Sequence, residues 1–201
     1  MKIGKNSMKC TLVPLLTLFF TTIALFFVSH GDVKAQNVSF PTYGSGAVQV
    51  RMYTDFFCPP CRGMKPAVEP VLKDLVKRNI ITLTMVDTPF YRYSGLYARY
   101  FLYAIQAKND FEHAMMVRNT LFEATDNKHI TTAERIEDLF RNKKIPFTAF
   151  DPKSTFEWFN SLLQYDKVNA TPSCVIVRGD NMEMFVGGED IINALQKLQQ
   201  Q

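Results

Sequence analysis

The chain has 201 residues, of which 47% are apolar and 21% are charged, a composition typical of a globular protein with one buried core. Its net charge of +4 comes mostly from the amino terminus, because four lysines and one aspartate lie before residue 36 and the remainder carries only about +1. This balance argues against a nucleic-acid surface, and the composition excludes a disordered or repetitive chain.

The first 35 residues predict an export signal. A basic segment, MKIGKNSMK, precedes an uncharged apolar stretch from Leu12 to Val28, and Val33 and Ala35 occupy the positions that a signal peptidase reads. We therefore predict a signal peptide over residues 1–35. The alternative is an uncleaved signal anchor, because the apolar stretch is nearly long enough to span a bilayer. The predicted location is the periplasm or bacterial cell envelope, with membrane attachment if the anchor is retained.

Residues 36–91 predict a strand, a helix and a second strand. Apolar and polar residues alternate through AVQVRMYTDFF, which begins at Ala47 and is typical of a strand. Apolar residues then recur at helical spacing, at Val68, Val71, Leu72, Leu75 and Val76. The segment IITLTMV, from Ile80 to Val86, reads as a buried strand. Such a β-α-β unit implies two parallel strands joined by a right-handed crossover.

Residues 92–167 predict four helices and no strand. Apolar stripes at helical spacing cover Ser94 to Lys108 and Asp110 to Ala124. A third helix opens with the capping-box pattern of Thr131 to Glu134, and a fourth opens at Asp151 and Pro152. The methionines and aromatic residues of these stripes are interpreted as core, not as cofactor ligands.

Residues 168–201 return to strands. SCVIVRG, from Ser173 to Gly179, and MEMFVGG flank a turn at Asp180 and Asn181, and they predict a β-hairpin. A helix from Glu189 to Gln199 follows. The predicted fold class is α/β, with helices on the faces of one mixed sheet that a helical insert interrupts.

Two cysteines flank two prolines in DFFCPPCRGM, where the first strand gives way to a helix. Cys58 lies at the helix N-terminus, where unpaired N–H groups and the helix dipole favour a thiolate, and Cys61 lies one turn further on. This spacing supports thiol–disulfide exchange, in which Cys58 is the nucleophile and Cys61 resolves the mixed disulfide. The neighbours predicted to line the site are Phe57, Pro59 and Pro60.

Other interpretations of the cysteines are weaker. Zinc needs about four ligands, but beyond residue 35 there is one CxxC pair, the isolated Cys174, and two histidines in the helical part of the chain. A structural disulfide across so short a loop constrains little of the unfolded chain. We therefore predict no metal and no cofactor other than a redox-active Cys58–Cys61 disulfide. Cys174 is interpreted as a small buried residue, with a third redox thiol as the alternative.

These features resemble the DsbA-like branch of the thioredoxin superfamily. The resemblance spans about residues 45–200 and rests on FFCPPC at a strand-to-helix junction, a proline five residues past the second cysteine, a helical insert, and VNATPS ahead of the hairpin. It implies a thioredoxin-like domain made of residues 36–91 and 168–201, with an inserted helical domain over 92–167. It also implies that Pro172 is cis beside the cysteines and that the backbone at Thr171 binds an extended client segment.

The resemblance implies an exported oxidoreductase that forms disulfides in client proteins. Its partners would be unfolded or partly folded exported proteins and a membrane or soluble redox partner. Pro60 departs from the pattern, because members of the DsbA type carry a thiolate-stabilising histidine there; the disulfide should therefore be a milder oxidant. A disulfide reductase or isomerase remains an alternative, as does a non-catalytic envelope assembly or chaperone factor of the same fold.

A second departure concerns a carboxylate. Family members usually bury one six residues before the first cysteine, where it ferries a proton to the inner cysteine, but this chain has Met52 there. Asp55 lies nearer, three residues before Cys58. Either Asp55 replaces the missing carboxylate or it is a solvated or capping residue at the strand end, and we favour the second interpretation.

Overall fold

A five-stranded mixed sheet in the order β1–β3–β2–β4–β5 forms the centre of the fold. This computed structural model describes residues 39–127 and 129–200, so the predicted signal over residues 1–35 lies outside the described residues. The strands are β1 (Thr42–Tyr43), β2 (Val48–Thr54), β3 (Ile81–Asp87), β4 (Ser173–Arg178) and β5 (Asn181–Val186). β2 and β3 are parallel, and the other neighbouring strands are antiparallel.

Six helices surround this sheet in the described ranges. They are α1 (Pro59–Lys77), α2 (Ser94–Ala107), α3 (Phe111–Ala124), α4 (Ala133–Lys143), α5 (Lys153–Tyr165) and α6 (Gly188–Gln199). The predicted α/β class, with a mixed sheet and helices inserted between two of its strands, is confirmed. The division into domains at residues 91 and 167 stays a prediction.

Helix α1 forms because its apolar residues lie on one face. Met64, Val68, Leu72 and Leu75 are all buried, and each contributes about 1.5–3 kcal/mol on leaving water. The helix ends in a Schellman motif: the Asn79 amide donates to the Val76 carbonyl, and the Ile80 amide to the Leu75 carbonyl. Asn79 tolerates the left-handed conformation, φ 52°, that this ending requires. A charged residue at Leu75 would break the packing of this helix on the sheet.

The structure adds a short strand that the sequence did not indicate. β1 has two residues and pairs with β3 at the sheet edge, before the first predicted strand. Gly46 lets this segment pass close to β3, because a Cβ there would come within 2.1 Å of the Ile80 carbonyl carbon. Helix α1 begins at Pro59, directly after Cys58, since proline suits the first helical turn.

The sheet topology brings three distant segments to one end of the sheet. β2 runs directly into the turn that precedes Cys58. β4 is antiparallel to β2 and pairs Ser173 with Tyr53, so the segment before β4 arrives beside that turn. β3 is parallel to β2 and ends at Asp87, opposite Thr54. The loop after β3 therefore reaches the same end.

Candidate active site

Cys58 is the N-cap residue of α1 and contacts the segment before β4. Its amide donates to the Asp55 carbonyl at 3.2 Å, and its carbonyl accepts from the Arg62 amide at 3.2 Å. Its Sγ donates to the Thr171 carbonyl oxygen at 3.3 Å, across 113 residues of sequence. Cys58 is only 2% exposed.

Cys61 lies one turn into α1 and is 1% exposed. Both cysteines are present as free thiols. Burial, the larger cause, and the hydrogen bond with Cys58 together raise the pKa of Cys61 to about 12, and a hydrogen bond with the Asp55 backbone acts in the opposite direction. At neutral pH Cys61 is therefore a thiol and needs a proton acceptor before it can act as a nucleophile.

The peptide bond between Thr171 and Pro172 is cis, as the resemblance implies. The Pro172 carbonyl accepts from the Gly187 amide at 3.0 Å, and the Ser173 hydroxyl donates to the Ala170 carbonyl at 2.8 Å. These bonds tie the two sides of the cis bond to the open end of the hairpin, where β4 begins and β5 ends.

Asp166 anchors the beginning of the same segment to β2. Its carboxylate accepts two hydrogen bonds from Arg51, at 2.6 and 2.7 Å, and a third from the Tyr53 hydroxyl. A bidentate arginine–carboxylate pair fixes both distance and orientation. Together these contacts fix the path of the chain from α5 to Thr171.

Asp55 is buried, with 1% exposure, so the solvated interpretation of this residue is wrong. Its Oδ1 accepts from the Phe57 amide and the Ser94 hydroxyl, and its Oδ2 accepts from the Phe90 amide, each at 2.7 Å. It caps the turn before Cys58 and joins that turn to the loop after β3. Its role as a capping residue agrees with the other part of the favoured interpretation.

A buried ion pair lies behind this turn and was missed by the sequence reasoning. Arg118 from α3 donates to Asp87 Oδ1 at 2.8 Å and to the Thr54 hydroxyl at 2.6 Å. Its guanidinium also lies 4.8 to 5.6 Å from three ring centroids, those of Phe56, Phe101 and Phe122. Burial raises the pKa of Asp87, and Arg118 opposes that shift. The only sequence signal was an arginine within an otherwise apolar helical stripe.

Aromatic side chains lie on the turn just before Cys58 and on the loop after β3. The Phe57 ring packs against Tyr93 and Tyr97, and it is half-buried. Phe90 and Tyr91, on the loop that Asp55 holds, are 55% and 48% exposed. Pro59 and Pro60 are exposed at the start of α1. Phe57, Pro59 and Pro60 are sequence neighbours of the cysteines, and their role as lining residues stays a prediction.

Cys174 lies in the centre of the sheet, where it pairs with Met52. It is fully buried, and burial raises its pKa to about 12. Its environment fits the interpretation as a small buried residue. Across residues 39–127 and 129–200, no three His, Cys, Asp or Glu residues cluster as metal ligands would, and no helix has the length and hydropathy to span a membrane.

Residues 42–197 match the family described as Thioredoxin, and the chain belongs to this family. The predicted membership of the thioredoxin superfamily is thus confirmed, and it agrees with an enzyme of the thiol–disulfide oxidoreductase class. No curated protein sequence matches the chain.

Solved structures share the fold at low sequence identity. A periplasmic thioredoxin-like protein from Salmonella enterica serovar Typhimurium is 22% identical, with a TM-score of 0.58 over 80% of this chain and 90% of the other. Oxidised BdbD from Bacillus subtilis is 20% identical, with a TM-score of 0.59 over 81% and 94%. The thiol-disulfide exchange protein alpha-DsbA2 from Wolbachia pipientis is 21% identical, with a TM-score of 0.59 over 82% and 88%.

Proposed function

We propose that this chain is an exported oxidoreductase that forms disulfides in client proteins through Cys58 and Cys61. The observation that carries the proposal is the position of Cys58, at a helix N-terminus and 3.3 Å from the Thr171 carbonyl. Cys58 lies at the start of the helix, and the adjacent backbone offers hydrogen bonds to an extended client.

The reaction begins with the pair oxidised. A client thiolate attacks Cys58 Sγ, the Cys58–Cys61 bond breaks, and Cys61 leaves as a thiolate that takes up a proton. A second client thiolate then attacks the client sulfur of the mixed disulfide, and Cys58 leaves as a thiolate at the helix end. The client loses two electrons and gains a disulfide, while the pair becomes a dithiol. A membrane or soluble disulfide-bearing redox partner then reoxidises the pair.

The surroundings of the pair suit unfolded clients. The exposed rings of Phe90 and Tyr91 offer apolar contact without a defined pocket, and the Thr171 backbone pairs with any extended sequence. Clients are therefore unfolded or partly folded exported proteins that carry reduced cysteines. Location in the periplasm or cell envelope follows from the predicted signal over residues 1–35.

Pro60 bears on the direction of electron flow, which can go either way in this fold. Without a histidine donor before Cys61, the Cys58 thiolate is less stabilised, so the disulfide is a milder oxidant than that of the DsbA type. A reductase or isomerase of the same fold is the second candidate, and Pro60 is the observation that favours it.

Single-cysteine variants test this function. A disulfide protein is reduced and then refolded in a glutathione buffer that contains oxidised glutathione. The wild type should accelerate disulfide formation and Cys58→Ser should abolish the effect, while in Cys61→Ser the Cys58 thiolate attacks a glutathione or client disulfide and a mixed disulfide should accumulate. Cys174→Ala is the matched control and should retain activity. Full activity in Cys58→Ser would favour a non-catalytic chaperone. The reduction potential of the Cys58–Cys61 pair can be measured by equilibrium with glutathione. A potential of about −270 mV, the value of thioredoxin, would favour the reductase.

A further inference from the structure

β5 is an edge strand of the sheet and presents a row of apolar side chains to solvent. It pairs with β4 on one side, and among the described residues no strand lies on its other side. Met182, Met184 and Val186, here called the β5 row, alternate along the strand and are 47%, 46% and 46% exposed. Glu183 and Phe185, which lie between them, point to the opposite face and line a cleft with α6. The β5 row therefore stays open to solvent at a sheet edge.

The residues of the β5 row also carry the unpaired backbone groups of this edge. The Gly187 amide donates to the Pro172 carbonyl at 3.0 Å, and these two residues continue the register of β4 and β5. Along an antiparallel pair, opposed residues alternate between hydrogen-bonded and non-hydrogen-bonded pairs. Phe185 and Glu183 therefore bond to β4, whereas the N–H and C=O groups of the β5 row point away from the sheet.

β5 lacks the features that usually protect a sheet edge. Protected edges are very short, or they carry lysine, proline or a bulge. β5 has six residues, NMEMFV, without lysine or proline, and its register with β4 is unbroken. The opposite edge of the described sheet, β1, has only two residues. A copy that pairs through β5 thus has no comparable edge left, so assembly stops at two copies.

The sequence of β5 is complementary to an antiparallel copy of itself. With Met184 opposite Met184 of the second copy, Met182 faces Val186, and both β5 rows meet on one face of the sheet. The outward N–H and C=O groups of the two rows then form hydrogen-bonded pairs. Glu183 is the one charged residue of β5, and in this register it faces Phe185 and not its own counterpart. The register therefore avoids like charges directly opposite each other, which destabilise a strand pair.

An extended client is less suited to this edge. The Thr171 carbonyl contacts Cys58, which follows β2, and β2 lies on one side of β4 while β5 lies on the other. A client bound beside Cys58 is therefore not continuous with the β5 row.

We propose that β5 pairs with β5 of a second copy of this chain, in an antiparallel register centred on Met184. The pairing is isologous, because the same strand serves both copies, and it closes as a dimer. Adaptable methionine side chains bury one another at the contact. Two strands make a small interface, so the dimer is weak, with a dissociation constant in the micromolar range. The two cysteine pairs lie at opposite ends of the joined sheet, so thiol–disulfide exchange at each does not depend on the dimer.

Sedimentation of the full gene product, recovered from the cell envelope after export, tests the pairing. The wild type should change from one to two copies per particle across micromolar concentrations. Met184→Lys should stay at one copy, because the introduced positive charges would face each other. Met116→Lys changes an exposed methionine of α3 and is the matched control, which should dimerise like the wild type. An equimolar mixture of Met184→Lys and Met184→Glu should recover the dimer, which a misfolded variant would not do.

Cross-linking measures the register. The four natural cysteines of the full chain are replaced by alanine, one cysteine is introduced on β5, and a short bis-maleimide is added. In Met184→Cys the two introduced thiols belong to opposed residues with Cα atoms about 5.5 Å apart, so they should cross-link. In Asn181→Cys the same atoms are about 20 Å apart, so cross-linking should be absent.

Four results would each overturn the pairing: a wild type that stays at one copy, assemblies larger than two copies, a dimeric Met184→Lys, or equal cross-linking of Asn181→Cys and Met184→Cys. A single-copy wild type whose β5 amides are protected from hydrogen exchange only by a reduced, unfolded protein would assign the edge to clients instead. None of these results bears on the proposed function, because Met184→Lys leaves Cys58, Cys61 and Thr171 unchanged.

Discussion

Replacing Arg118 with methionine tests how charge is held behind the cysteine pair. Arg118 donates to Asp87 and Thr54, and methionine fills much of the same space against the three aromatic rings without the charge. Removing one partner of a buried ion pair costs about 3–5 kcal/mol, because the other charge is left uncompensated. We therefore expect Arg118→Met to lower the free energy of unfolding by about 4 kcal/mol near pH 7.

The penalty should depend on pH in a defined direction. Burial already raises the pKa of Asp87, and loss of Arg118 raises it further. When the pKa of a carboxyl group is higher in the folded than in the unfolded protein, the free energy of unfolding falls as the pH rises through the folded-state pKa. The variant should therefore lose more stability relative to the wild type near pH 7 than near pH 5.

Urea unfolding followed by circular dichroism at the two pH values measures both effects. Arg141→Met is the control, because that arginine pairs with carboxylates on the exposed face of α4 and should cost at most about 1 kcal/mol. An Arg118→Met cost no greater than that of Arg141→Met, or a larger penalty near pH 5 than near pH 7, would contradict a stabilising buried pair of Arg118 and Asp87. Adding Asp87→Asn to Arg118→Met should recover part of the lost stability.

Two further substitutions probe the turn and the third thiol. The Asp55 carboxylate accepts hydrogen bonds from two backbone amides and one hydroxyl, and Asp55→Asn replaces one of its oxygens with an NH₂ group that cannot accept. The variant should lower the free energy of unfolding in urea by about 2–3 kcal/mol. An equal loss in Asp180→Asn, which changes an exposed turn, would contradict the capping role of Asp55. Cys174→Ala should cost about 1 kcal/mol and leave the glutathione equilibrium of the pair unchanged. A changed potential would make Cys174 a redox partner of the pair.

The central β-α-β unit was predictable because burial alone determines it. β2, α1 and β3 each carry a periodic apolar pattern, and their observed bounds lie close to the predicted ones. β1 was not predictable, since two edge residues held mainly by backbone hydrogen bonds leave no periodic pattern.

The site was predictable only where its residues are neighbours in sequence. The spacing of Cys58 and Cys61 placed both at the start of a helix, as the structure has them. The contact between Cys58 and Thr171 depends on strand pairing across the helical segment, so only the family resemblance indicated it. The partners of Asp55 and the placement of Arg118 depend on packing between distant segments, which no local pattern encodes.

The strand order also determines when the site comes into existence during synthesis. β2 pairs with β3 across one helical crossover, but it pairs with β4 only after four more helices have been made. A nascent chain that ends before Thr171 already carries Cys58 and Cys61 yet lacks the carbonyl that Cys58 contacts. Because distant pairings form slowly, both thiols are present before the backbone that would position a client beside them. The last thirty or so residues therefore complete the site as well as the sheet.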